Sequence, residues 1–286
     1  MVIFVIYILI VLATVTQSAF TKAFNRQSSR SGVFNALKAS SALLMFALMA
    51  IPGFTFHLPT VLLGMAYGAG LCLSMYAGYK ALCLGPMALT SMLVSFSVII
   101  PLIWGLTFGN EKLSILQGIA FALLLFALIS TNADKLRAGS IKGTNYGLWL
   151  MFVGITFLCN GACSILQKQH QTLYPEAYGR EFMFFAMLLC SVIFISVTLA
   201  RIPFKDIKAT KGKLFGIFSG LSNGIANFLT LTLAGFENAS ILFPIISAGT
   251  ILAALLCGRL VFKEKLKMNH YVALAAGIVS IVLLKL

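Results

Sequence analysis

The chain has 286 residues, 60% hydrophobic and 10% charged, with a mean hydropathy of +0.99; soluble domains carry roughly 25% charged residues, so a soluble globular fold is excluded. Its 21 Lys and Arg against 7 Asp and Glu would suit nucleic acid in a soluble protein. Here the cations fall between apolar runs instead of forming one patch, which argues for basic membrane loops and against nucleic-acid binding. The six cysteines form no C-x-x-C pair and no His cluster accompanies them, so neither a metal nor another cofactor is expected.

A helix needs about 20 apolar residues to cross a hydrocarbon core of roughly 30 Å. Ten runs fit that demand, at about 2–21, 33–51, 59–80, 87–108, 114–131, 146–168, 181–200, 213–235, 240–261 and 269–285. The first run lacks the charged leader and the A-x-A site of a signal peptide, so it reads as a membrane span. The connections are short. Only 132–145 and 201–213 are long linkers, and both are rich in Lys, Arg and small polar residues. The tail of the sixth connection, QKQHQTLYPEAYGRE, reads as a surface loop, with Lys168 at a helix end snorkelling to the interface.

Cutting in the first linker gives two halves of five helices each, residues 1–135 and 136–286, which correspond in order. Thr14, Ser18 and Lys22 match Asn160, Ser164 and Lys168, both sets spaced by four on one helix face. Gly64 and Gly68 match Gly216 and Gly220, and Glu111-Lys112-Leu113 matches Glu264-Lys265-Leu266; the three offsets are 146, 152 and 153. Five spans are an odd number, so a second copy must insert in the opposite sense. The cations agree. Seventeen Lys and Arg, Lys38 counted among them with the first connection, belong to odd-numbered connections and four to the even ones and the C-terminal end. Equivalent connections therefore carry opposite bias, as an inverted repeat under the positive-inside rule requires. The expected fold is an all-α integral membrane protein of ten transmembrane helices in two inverted five-helix repeats.

Polar residues inside the runs concentrate on the first, third, fourth, sixth, eighth and ninth helices. A polar side chain in hydrocarbon needs a partner or a wet cavity. Thr14, Gln17, Ser18, Tyr67, Ser74, Ser95, Asn160, Ser164, Asn223 and Asn227 are the candidate lining of a substrate pathway. The alternative for each is a plain interhelical hydrogen bond. Gly64, Gly68, Gly216 and Gly220 suit close helix packing, while Pro101 and Pro244 can kink a helix and serve packing or gating. Enzyme signatures are missing: there is no nucleotide-cradling G-x-x-x-x-G-K-[ST] loop and no H-E-x-x-H. His57, His170 and His270 fall at or beyond the expected helix ends.

The segments IIPLIWGLTFGNEKLSILQGIAFALLLFALI (99–129) and ILAALLCGRLVFKEKLKMNHYVALAAGIVSIVLL (251–284) resemble the EamA-type branch of the drug/metabolite transporter superfamily, the first closely, including Pro101. The second departs at Ala254, where the first has Pro101, and at Phe262, where the first has Gly109. The resemblance implies a ten-helix permease or efflux protein for a small metabolite, with a cavity lined chiefly by the six polar helices. It names no substrate. The expected partners are the lipid bilayer and a small polar solute such as an amino acid, with a homodimer admitted; the expected location is the plasma membrane, the inner membrane of a prokaryote. A lipid or glycolipid flippase and a membrane-embedded enzyme are the competing classes.

The cation count places both termini outside the cytoplasm, whereas the family resemblance implies cytoplasmic termini. A reporter active only in the cytoplasm, fused after Leu286, should show little activity if the charge bias governs insertion. Strong activity would reverse the orientation.

Overall fold

The structure is a computed structural model that describes residues 2–28, 30–84, 90, 93–138, 145–260 and 268–285. Among the described residues the chain is helical throughout, without strands. Each expected run contains a helix: α1 (Val2–Gln27), α2 (Ser31–Ala50), α3 (Leu58–Leu84), α4 (Ile99–Thr107), α5 (Ile115–Ala138), α6 (Tyr146–Leu173), α7 (Gly179–Arg201), α8 (Lys213–Ala234), α9 (Ala239–Leu260) and α10 (Met268–Leu284). Seven of them, α1 to α3 and α6 to α9, are long and apolar enough to cross a bilayer, while the apolar stretches ending in α4, in α5 and in α10 are shorter. The protein is thus a multi-pass, all-helical membrane protein.

Three local features differ from expectation. A six-residue helix, Phe204–Ala209, occupies the seventh connection, where Arg30 at the start of α2 pairs with Asp206 at 3.4 Å and donates to its backbone carbonyl. A 3₁₀ turn at Phe96–Val98 leads into α4, so Pro101, which has no N–H to give, follows a stretch already out of α-helical register. Pro244 stays inside α9. Third, α6 runs on to Leu173, so the first part of the sixth connection is helix instead of surface loop. Gln167, His170 and Gln171 share one buried face there, and their hydrogen bonds make continued helix the satisfied state.

The chain forms two compact units, Met1–Cys72 with Gln169–Gly235, and Leu73–Lys168 with Phe236–Leu286. Each draws on both halves of the sequence. In the first unit α8 packs on α1 and α2, and α2 on α7. Gly216, Gly220 and Gly224 of α8 face Leu37, Lys38 with Ser41, and Met45 of α2. The pairing advances four residues on each helix together, so the two run parallel in fixed register. Gly64 and Gly68 of α3 meet α7 just as closely: a Cβ on either would lie 2.6 Å from the carbonyl oxygen of Phe182 or Ala186. Small residues let backbones approach where lipid offers no hydrophobic drive to do so.

In the second unit α10 packs on α5 and α9, and α9 on α4. Ala127, Ala273 and Ala276 form a tight seam with Leu255, and the Ser280 hydroxyl donates to the Ala120 carbonyl at 2.7 Å. Trp149 packs with Ala81 and Val153, its indole N–H bonded to the Thr90 hydroxyl at 2.9 Å.

The first Glu-Lys-Leu has a clear structural task. After α4 the chain turns through Asn110, held at φ +51°, and the Glu111 N–H bonds back to the Gly105 carbonyl at 3.0 Å. Its carboxylate then accepts the Ala239 N–H at 2.7 Å and the Ser240 N–H at 2.8 Å, capping the first turn of α9. Gly105 leaves the room, since a Cβ there would collide with that carboxylate. Lys168 donates to the Glu237 carbonyl at 2.7 Å just before α9, instead of reaching an interface from a helix end. Lys285 pairs with the Glu237 carboxylate at 2.7 Å. The second Glu-Lys-Leu, at 264–266, lies outside the described residues. Replacing a capping side chain by Ala typically costs about 0.5 to 2 kcal/mol, and the charge on a helix N-terminus adds to that. Glu111→Ala should therefore lower the unfolding free energy in detergent by about 1 to 2 kcal/mol, with Glu111→Gln losing less. An unchanged denaturation midpoint for Glu111→Ala would show that the cap is dispensable.

Candidate functional site

In the first unit the polar layer is built from α1, α3 and α8. Tyr67, 2% exposed, donates its hydroxyl to the Asn227 carbonyl oxygen at 2.8 Å. The Asn227 amide donates to the Asn223 backbone carbonyl at 2.8 Å, so this asparagine satisfies half of its side chain on its own helix. Asn223 is itself buried. On α1, Thr14 donates to the Ile10 carbonyl at 2.8 Å and Ser18 to that of Thr14 at 3.0 Å; both are ordinary back-bonds to the preceding turn. The Gln17 carbonyl is the junction with α8: Thr21 donates to it at 2.8 Å and Ser219 at 3.3 Å.

In the second unit the Ser74 hydroxyl donates to the Asn160 carbonyl oxygen at 2.5 Å. Ser164 bonds the Asn160 backbone carbonyl at 3.2 Å. Ser95 directly precedes the 3₁₀ turn before α4. Of the ten expected lining residues, then, Tyr67 pairs with Asn227 beside Asn223, and Ser74 pairs with Asn160. Thr14 and Ser18 spend their hydroxyl protons within α1.

Two groups of residues escaped the sequence reading. The first is a chain of hydrogen bonds at one end of the first unit. The Gln171 amide nitrogen lies 3.2 Å from His170 Nδ1, His170 Nε2 lies 3.2 Å from the Thr60 hydroxyl, and that hydroxyl lies 3.0 Å from His57 Nδ1. An amide nitrogen only donates. His170 therefore accepts at Nδ1 and donates from Nε2 to Thr60, whose proton passes to His57 Nδ1. His170 and Thr60 are fully buried, and His57 stacks on Tyr178 with ring centroids 4.6 Å apart and planes 7° from parallel. Tyr178 reaches that position in a left-handed backbone, φ +54°. Nearby, buried Glu181 accepts the Thr55 N–H at 3.3 Å and its hydroxyl at 3.4 Å. His170 falls at a helix end as expected, in the last turn of α6; its burial and its partners are what the sequence reading missed. A buried face Gln167-x-x-His170-Gln171 continuing the period of the preceding apolar run was the legible signal.

The second is Lys38. Counted above with the first connection, it is instead the eighth residue of α2, on the face that carries buried Phe34, Ser41 and Ala42. The four apolar residues that follow Ser41 (Ala42 to Met45 in sequence) and the run before it marked this position as intramembrane.

No family model and no curated protein matches the chain. Among 28 matching solved chains, one described only as "Crystal structure of protein" superposes with a TM-score of 0.77 at 14% identity, covering 98% of this chain and 94% of that one. At that identity the likeness shows a shared helical fold and nothing about role.

The Tyr67 and Asn227 contact is testable as an energetic coupling. Interhelical hydrogen bonds in membranes average about 0.6 kcal/mol and reach about 1.7. In a cycle of Tyr67→Phe, Asn227→Leu and the double variant, unfolding free energies should show a coupling in that range. Strict additivity would mean that the bond stabilises nothing.

Proposed function

We propose that this chain is a secondary transporter of a small polar metabolite such as an amino acid, built as ten membrane helices in two inverted five-helix repeats and resident in the plasma membrane of a prokaryote. The carrying observation is the pairing of polar side chains from different sequence halves along one helix: α3 gives Tyr67 to Asn227 and Ser74 to Asn160. Such groups are costly in apolar spans, and where they occur they mark solute pathways or helix contacts. Both pairs are neutral. A hydroxyl-to-amide bond is readily exchanged for bonds to a solute's own hydroxyl, amine or carboxylate, because each partner can donate and accept. The partners come from the two repeats, so rocking of one repeat against the other breaks and remakes those bonds, as alternating access requires.

The resemblance of residues 99–129 to EamA-type segments supports the same reading.

The test is solute counterflow in sealed vesicles reconstituted with the purified chain. Asn223→Leu with Asn227→Leu should reduce uptake more than tenfold while leaving expression and folding intact. Full uptake by that double variant removes these residues from the pathway, and a signal that survives when the vesicles are made leaky rules out transport.

A further inference from the structure

We propose that Lys38 is the counter-ion for a negatively charged group, carboxylate or phosphate, of the solute bound by this chain; the inference rests on the transporter reading above for the word solute, but the site stands on its own geometry. The depth of Lys38 follows from two contacts that mark the ends of the packed α2. At one end Arg30 pairs with Asp206, and at the other Arg180 of α7 donates to the Met49 carbonyl at 3.2 Å. Lys38 is eight residues from Arg30 and eleven from Met49, about 12 and 16 Å at 1.5 Å per residue. That is close to the middle of a hydrocarbon layer of about 30 Å.

Its side chain is partly buried. Phe34, Ser41 and Ala42, on the same face, are buried, whereas Leu44 and Leu48 carry the exposed side of α2. The Cys190 thiol, midway along α7, is within electrostatic reach, and it donates to the Gly68 carbonyl at 3.4 Å. Ser41 spends its proton on the carbonyls of Lys38 and Ile217.

No carboxylate among the described residues answers the charge. The first unit contains three acids. Asp206 is paired with Arg30, Glu181 holds Thr55, and Glu176 is exposed in the turn after α6. By contrast, the intramembrane lysine of the other unit, Lys168, has the Glu237 carbonyl. An ionisable side chain at this depth that faces the bundle interior is expected to have a partner, and the missing partner is one negative charge. A carboxylate or phosphate oxygen supplies the charge and also accepts the ammonium's hydrogen bonds. Tyr67 and Asn227 of the same unit then meet the rest of the solute. An amino acid fulfils both demands through its carboxylate.

The experiment uses the purified full chain in detergent and a library in which every carboxylate and phosphate ester, such as succinate and glycerol 3-phosphate, is accompanied by its uncharged counterpart, succinamide and glycerol. Thermal unfolding reads binding. The stabilising compounds should be anions, should also stabilise Lys38→Arg, and should bind Lys38→Met at least tenfold more weakly. Carboxylate hits without phosphate hits, or the reverse, identify which anion the site takes. The idea is overturned if uncharged compounds stabilise as well as their anions, if no anion stabilises, or if Lys38→Met binds the anions like the unaltered chain. Should Lys38→Met fail to fold, the anion-against-uncharged comparison on the unaltered chain decides alone. Counterflow of the hit in sealed vesicles separates the two readings. A compound bound through Lys38 but not carried keeps this site and removes the transporter, whereas an uncharged solute carried equally by the unaltered chain and Lys38→Met keeps the transporter and removes this site.

Discussion

Hydrocarbon offers no hydrogen bonds, so every polar group inside the membrane must find its partner within the chain. That constraint accounts for most of the specific contacts here. Hydroxyls return to the preceding turn of their own helix, as at Thr14, Ser18, Thr156 and Thr230. The first N–H groups of α9 have no such recourse, because a helix start lacks a preceding turn. Glu111, arriving from the end of α4, provides both missing acceptors at once. The motif that marks the repeat in the sequence is, at its first copy, the stopper on a neighbouring helix.

The same constraint separates two kinds of buried polar group. Tyr67, Ser74, Asn160 and Asn227 are neutral and bonded in pairs, so each pair offsets the cost of its burial only while a partner is in place. Lys38 is different. A charge cannot be satisfied by a back-bond, and removing it from water is far more expensive than removing an amide. The His57, Thr60 and His170 chain lies between these cases. Its direction is fixed by the Gln171 amide at one end, and every member is satisfied only while His170 stays neutral. An added proton at His57 Nδ1 would face the Thr60 hydroxyl proton and force that hydroxyl to turn.

How much of this was legible depended on whether a residue obeyed its local period. The ten apolar runs are a matter of composition and length, and each contains a helix. Helix ends were harder. At α6 the letters QKQHQ are polar throughout and read as a loop, because nothing local reveals that Thr60 lies opposite His170. Lys38 was swept into a basic connection by a charge count that weighs residues by type and not by face. The pairing of Tyr67 with Asn227, 160 positions apart, is invisible to periodicity, although both residues stood out singly as polar groups in apolar runs. The compact units, each taking segments of both halves, also follow from tertiary packing that no local pattern encodes.

Packing and chemistry meet at Gly220. A Cβ there would collide with the Ser41 hydroxyl and with the Lys38 carbonyl, so the absence of a side chain on α8 is what admits α2 at the turn that carries the lysine. Gly216 and Gly224, one turn to either side, repeat the arrangement against Leu37 and Met45. Spacing of four on both helices keeps their ridges in step, and the step decides which α8 residues lie beside Lys38. A stripe of glycines is usually explained by helix affinity alone. Here it also sets how closely α2 brings Lys38 against α8, so stability and the candidate site depend on the same three missing side chains.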